Sequence, residues 1–253
     1  MLKKLFVAAF FGLILTACSG SIDTTNLSAE ERLAYSIKLY ENEDYEDAAK
    51  EFEALLLQFP GSAVSDDAQY YLGMTRYKRG EYIIGAYEFS KLIKGMPTSE
   101  FVPQAQFMLA ECYYQLSPDY SLDQKYTKKA IEEFQAFIDF FPLDSKVAEA
   151  EKKINELNDK LARKEFDTAR IYEKLEYTKA ALKYYDNVME IYHDTKFAPL
   201  AHYNKINLLL SKNRNQEALD AANSFLAKYP NDSNFSSVEK IKASLENKIS
   251  ASN

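Results

Sequence analysis

The sequence predicts an all-α chain built as a solenoid of paired helices, and three observations predict it. The first is a recurring stretch: YEDAAKEFEALLLQFP (Tyr45 to Pro60) returns as YIIGAYEFSKLIKGMP (Tyr82 to Pro97) and as KKAIEEFQAFIDFFP ending at Pro142. It returns more loosely as YTKAALKYYDNVMEIY (Tyr177 to Tyr192) and as NQEALDAANSFLAKYP ending at Pro230. The second is the apolar spacing inside it, where Ala48, Phe52, Leu55 and Leu56 become Gly85, Phe89, Leu92 and Ile93, then Ala130, Phe134, Phe137 and Ile138. Positions i, i+4, i+7 and i+8 share one face of an α-helix. The third is composition: with 7 glycines and 7 prolines in 253 residues, the chain lacks the turn residues that a β-rich fold needs.

The first two copies lie 37 residues apart, and the segments before them keep that period. Leu33, Tyr70 and Phe107 form one series, Tyr40, Tyr77 and Tyr114 a second, and the small residues Ser36, Gly73 and Ala110 a third. A small position recurring on one helix lets a partner helix approach closely. The pattern, with Tyr71-Leu72-Gly73, Gly80 and the closing Pro97, resembles the tetratricopeptide repeat, a helix-turn-helix unit of about 34 residues. The longer period here implies slightly longer helices.

From the start of the chain, Lys3 and Lys4 precede an apolar run, Leu5 to Leu15, too short to span a bilayer as a mature helix. Residues 1–17 therefore read as a signal peptide. The run ends Leu15-Thr16-Ala17-Cys18, which resembles the lipobox of bacterial lipoproteins and implies lipidation of Cys18; an ordinary secretory peptide cut after Ala17 is the alternative. Several acyl chains on one cysteine, each methylene contributing about 0.8 kcal/mol when buried, would make the anchor effectively permanent. Ser19 rather than Asp after the cysteine favours, by resemblance to lipoprotein sorting, the outer membrane. Residues 18–27 then form a short polar tether, and Ser28 with Glu31 makes a capping-box pair ahead of a helix from Leu33 to Tyr40.

Residues 28–142 hold repeats one to three. Each closing proline stops its helix, because it has no amide to donate and disfavours helical geometry in the residue before it. Ser62, Ser99, Ser145 and Ser233 follow where caps for the next helices are wanted. The third repeat breaks the period with eight extra residues, placed at SPDYSLDQ (Ser117 to Gln124), either a contact-making insertion or a tolerated surface loop.

Residues 143–253 follow. From Ser145 to about Leu175 there is neither proline nor glycine, and Val147, Ile154, Leu157, Leu161 and Phe166 keep helical spacing, so one long helix, or two nearly continuous ones, links repeats three and four. Its charges, such as Lys152, Lys153, Glu156 and Lys160, read as a solvated face. Repeat four is expected to use Ala180, Ala181 and Tyr184, and repeat five Ala218, Leu219 and Leu226, 38 residues on by the Ala180 to Ala218 match. A last helix with Val238, Ile241, Leu245 and Ile249 on one stripe caps the array.

Charge and composition narrow the function. Removing the signal takes away two lysines, so the net charge falls from −7 to −9, which argues against nucleic acid and against a polybasic membrane patch. Cys112, in AECYYQL, reads as a small core residue, with a reactive thiol as the alternative. His193 and His202, the only histidines, stand in no metal-ligand spacing, and no glycine-rich phosphate loop occurs. The expectation is a protein without cofactor or metal that binds rather than catalyses.

The lipobox, five repeats and a long helix carrying LARKEFDTARIY (Leu161 to Tyr172) together resemble the BamD family over essentially the whole mature chain. That family supplies the lipoprotein subunit of the machine that folds and inserts β-barrel proteins into the bacterial outer membrane. The segment Ile171-Tyr172-Glu173-Lys174, and Tyr192-His193 in place of a Tyr-Pro, depart from its usual pattern. The resemblance implies an outer-membrane, periplasm-facing scaffold. Its partners would be a BamA-like barrel subunit, other assembly-machinery lipoproteins and unfolded outer-membrane proteins. It also implies that the first helix of each repeat lines a concave groove, making Leu33, Tyr40, Tyr70, Tyr77, Phe107 and Tyr114 candidates for binding peptide; packing between repeats is the other role open to each ring. Another repeat lipoprotein, a pilotin for a secretin or pilus or a cell-envelope coordination factor, is the second functional reading.

Overall fold

The computed structural model describes residues 24–251; the signal peptide, Cys18 and the first part of the tether lie outside the described residues. Eleven helices follow one another among these residues: α1 (Ala29–Glu41), α2 (Tyr45–Gln58), α3 (Ser65–Lys78), α4 (Tyr82–Gly95), α5 (Val102–Leu116), α6 (Lys125–Phe140), α7 (Val147–Lys174), α8 (Thr178–Ile191), α9 (Phe197–Ser211), α10 (Asn215–Lys228) and α11 (Phe235–Ser250). Each packs chiefly on its neighbours in sequence, so five antiparallel pairs stack into a tetratricopeptide-like solenoid closed by α11. The long link is one continuous 28-residue helix, α7.

Burial follows the predicted period. Phe52, Phe89 and Phe134 are all 0% exposed, and Leu55, Leu92 and Phe137 lie beside them in the same register. The small series Ser36, Gly73 and Ala110 is buried at the helix crossings. At Gly73 a Cβ would sit 2.7 Å from Phe89 Cε1, so only a hydrogen there lets α4 reach its depth against α3.

In repeat four the register is one residue on from the expected one. Ala181, Tyr185 and Val188 are fully buried, whereas Ala180 and Tyr184 are half-buried. Ala181, not Ala180, corresponds to Ala218, which restores the 37-residue period; repeat five buries Ala218, Ala222 and Phe225, with Leu219 and Leu226 packed around them. The doublets Ala180-Ala181 and Tyr184-Tyr185 allow either register in sequence.

The turns inside repeats one, two, four and five share one device. A residue with left-handed backbone, Glu43 (φ 65), Gly80 (φ 74), Glu176 (φ 61) and Asn213 (φ 55), ends the first helix of each pair. The amide that follows donates to the carbonyl five residues back, Asp44 to Leu39, Glu81 to Arg76, Tyr177 to Tyr172 and Arg214 to Leu209, closing a Schellman turn. At their far ends α2, α4, α6 and α10 stop on Phe59, Met96, Phe141 and Tyr229, each just before a proline. α8 stops at Tyr192 without one.

The serines placed as caps do not serve as N-caps. Of the eleven described helices only α1 has a side-chain cap, the Ser28–Glu31 capping box. Ser99 Oγ accepts from Phe101 N one turn early, Ser62 pairs with Ser65, and before α7 and α11 it is Asp144 and Asp232 that accept the amides of Lys146 and Asn234.

The core divides along α7. Ala150 and Leu157 pack with Phe134 and Phe137 of repeat three, while Ala162, Phe166 and Ala169 pack with Tyr185 and the C-terminal repeats. α7 is therefore the shared wall between the two halves of the array.

Candidate functional site

The first helices of repeats one to three, α1, α3 and α5, carry the aromatic series. Leu33 and Tyr40 are half-buried against the repeat-one core. Tyr40 stands edge-on to Tyr45 across its own turn and to Tyr71 of the next repeat, both at 5.6 Å between centroids. Tyr70 stacks on Phe101 at 4.7 Å. Tyr77 meets Tyr82 edge-on at 5.3 Å, the same cross-turn pair one repeat along. Tyr40, Tyr70 and Tyr77 thus hold neighbouring helices together while keeping part of their surface outward.

Phe107 is not a groove wall. It is 3% exposed, edge-on to Phe134 and Phe137 at 5.6 and 5.4 Å, with the Lys146 ammonium 4.3 Å from its ring centroid. The α6–α7 pairing closes over this position, whereas Tyr70 stays half-buried.

Tyr77 and Tyr114 are brought together through charged residues that the aromatic periodicity does not reveal. The Tyr77 hydroxyl and the Gln115 amide both donate to Glu111 Oε1, and Lys153 of α7 pairs with Glu111 Oε2 at 2.9 Å. The same ammonium lies 4.3 Å from the centre of the Tyr114 ring, whose hydroxyl donates to Glu156 at 2.8 Å. Burial, then the Glu111 charge, raises the Tyr77 phenol; the Glu156 hydrogen bond, then burial, pushes Tyr114 up to about 12. Both remain neutral donors near neutral pH. Lys153 and Glu156 therefore tie α7 to α5, with Tyr77 of α3 reached through Glu111; Lys153 is largely covered, whereas Glu156 and the neighbouring Lys152 stay on the solvated face.

Lys160 is a third such tie. It donates to Ser117 Oγ at 2.7 Å, and burial lowers its pKa. The neighbouring Lys164 donates to the Leu122 carbonyl at 2.6 Å, and Arg163 lies 3.9 Å from the centre of the Tyr120 ring. The 117–124 insertion is thus fastened to α7. Sequence separation hides this, because α7 returns to the loop more than 40 residues later.

A second period is hidden in the sequence. One residue before each member of the Leu33, Tyr70, Phe107 series stands a buried polar group, Arg32, Gln69 and Gln106. Gln69 donates to the side chain and backbone carbonyl of Glu88, Gln106 does the same to Glu133, and Arg32 faces Glu51 at 3.5 Å. His202 holds the matching place in repeat five, edge-on to Phe225 and Tyr229. The 37-residue spacing of Arg32, Gln69 and Gln106 is the available signal, which the change from Arg to Gln conceals; the insertion and the long α7 carry His202 out of that period.

Cys112 is fully buried, and desolvation, then Glu111, pushes its thiol up to about 12, so it is a core residue. Burial, then Lys205 and Lys228, depresses His202 to about 4. His193 is exposed beside Asp194. Among the described residues no group of three or more His, Cys, Asp or Glu could hold a metal ion, and no helix is long and apolar enough to cross a membrane.

Residues 34–217 match the YfiO family, described as an outer membrane lipoprotein. The chain is 25% identical over 247 residues to an outer membrane protein assembly factor BamD of Rickettsia prowazekii, covering 97% of this chain and 98% of that one. It is 27% identical over 212 residues to the BamD of Caulobacter vibrioides, covering 81% and 68%. Among solved structures it is similar to a tetratricopeptide-repeat protein of Thermus thermophilus, with TM-score 0.37, 19% identity and coverage of 86% and 98%.

Proposed function

As the chain belongs to the YfiO family of outer membrane lipoproteins, we propose that it is an outer membrane protein assembly factor of the BamD kind. In this reading it is a periplasmic scaffold held to the outer membrane by lipid on Cys18. It binds the periplasmic domains of a BamA-like barrel subunit, works beside other assembly-machinery lipoproteins, and receives unfolded segments of outer-membrane proteins. The observation that carries this reading is the match along nearly the whole length of both this chain and the Rickettsia relative, which spans all five repeats.

Physical features support action by binding. The thiol of Cys112 and the imidazole of His202 are sequestered in the core. The tied rings of α3 and α5 form a stiff face, where Tyr77 and Tyr114 offer ring surface with few torsions left to freeze. In the scheme proposed here the C-terminal repeats, α8 to α10, dock the barrel subunit, and the α1–α3–α5 face takes transient extended segments. Two surfaces on either side of α7 keep a permanent partner and a passing substrate from competing.

The anchor is tested by Cys18→Ser. The variant should leave the outer-membrane fraction, with any copies held by protein partners released by a high-salt wash. Retention of the variant in salt-washed outer membranes would remove the lipid from the account.

A further inference from the structure

We propose that the cleft between the 117–124 insertion and the C-terminal half of α7 is a docking site for an acidic segment of a partner protein that presents an apolar side chain among its carboxylates. This goes beyond the reading above, which assigns the insertion no task, and it does not depend on which protein supplies the segment.

The cleft, of about 370 Å³, is lined by Tyr120, Lys164, Thr168, Arg170, Ile171 and Lys174, with Ser121 and Asp167. Lys160, Lys164, Thr168, Ile171 and Lys174 recur three or four apart, on one face of α7. The insertion covers the start of this face, where Lys160 and Lys164 hold Ser117 and Leu122. It leaves the rest open: Ile171 is 56% exposed and Leu175 57%. From Lys164 to Leu175 the helix rises about 16 Å, the length of about five extended residues.

Charge selects the occupant. The chain carries a net −7, yet the lining supplies Lys164, Arg170 and Lys174 against one carboxylate, Asp167. Asp167 is engaged by Arg163, and none of the three lining cations forms an ion pair with another described residue. Lys174 suits a helix C-terminus in any case, but Arg170 and Lys164 stand one and more turns earlier. A cationic rim around Ile171, on a chain of net negative charge, complements carboxylates flanking an apolar side chain.

The test uses the full chain in detergent and a fluorescein-labelled hexapeptide, Glu-Asp-Phe-Leu-Asp-Glu, read by anisotropy. Controls are the charge-reversed Lys-Lys-Phe-Leu-Lys-Lys, the apolar-depleted Glu-Asp-Ser-Ser-Asp-Glu and inorganic phosphate as competitor. Saturable binding of the first peptide is expected, weakened at least tenfold by Lys174→Glu and by Ile171→Ser and lowered by salt, with both controls binding at least tenfold less well. Circular dichroism should show native helicity in both variants, since both side chains are exposed. Equal affinity in the variants, equal binding of the charge-reversed peptide, or full displacement by millimolar phosphate would each overturn the proposal. So would self-association of the chain that Ile171→Ser abolishes, because the occupant would then be a second copy.

Discussion

Gln69 donates its side-chain amide to Glu88 twice, to the carboxylate at 2.7 Å and to the backbone carbonyl at 3.2 Å. Neither residue is more than 8% exposed, so this polar tie lies within the packed interface of α3 and α4. Gln69→Leu would leave the Glu88 carboxylate buried without that donor, at a cost of about 2–4 kcal/mol. Changing both residues to leucine should cost less than the single substitution. Denaturant melts of the four proteins of the cycle provide the check, and simple additivity would mean that the pair is not coupled.

Gly73 sets how closely α3 and α4 approach. Gly73→Ala places a methyl against the Phe89 ring and should destabilise by about 1–3 kcal/mol through overpacking, against roughly 1 kcal/mol gained in helix propensity. Combined with Phe89→Leu, which vacates that space, the same alanine should be tolerated better than in the native background. An equal penalty in both backgrounds would contradict this packing.

Glu43 and Glu176 occupy left-handed backbone in turns where repeat two uses Gly80. Glu176→Gly and Glu43→Gly should each stabilise by up to about 1 kcal/mol, relieving the clash between Cβ and the following carbonyl. Gly80→Ala should destabilise by a similar amount. The midpoints of urea melts decide the matter.

His202 makes stability depend on pH. Burial and the nearby Lys205 and Lys228 hold its folded pKa at about 4, with Asp186 opposing, while the unfolded value is about 6.5. Between these values the unfolded chain binds more protons, so the contribution is complete above pH 6.5 and disappears as pH falls towards 4. Acidification from pH 7 to pH 4 should cost the native protein on the order of 2–3 kcal/mol more than His202→Gln. That variant keeps a hydrogen-bonding side chain at the position where repeats two and three use Gln69 and Gln106. Parallel losses in both proteins would mean that His202 titrates normally.

The fold was legible wherever one residue type recurs at one spacing. Phe52, Phe89 and Phe134 announced their burial because the same ring returns on the same helical face, and Ser36, Gly73 and Ala110 announced close helix crossings by their size. Periodicity misled where neighbouring residues were alike, as at Ala180-Ala181, and it fell silent where position was kept and chemistry changed, as from Arg32 to Gln69. It also cannot say what a distant helix brings. Phe107 shares its series with Tyr70, yet the α6–α7 pairing seals it, and Lys153 and Lys160 lose most of their solvent to Glu111 and Ser117. For the proposed binding face, the sequence offered the rings as candidates but not the Glu111 and Lys153 network that holds Tyr77 and Tyr114.

The proposed role as a scaffold of the outer-membrane barrel assembly machinery is best tested by affinity capture of the lipidated protein from gently solubilised membranes, with mass spectrometric identification and quantification of what co-purifies. The account predicts near-stoichiometric recovery of a barrel subunit with periplasmic domains, together with further lipoproteins, persisting in the Tyr40→Ala, Tyr77→Ala double variant. Recovery of a secretin, a pilus component or peptidoglycan enzymes in its place would contradict that role.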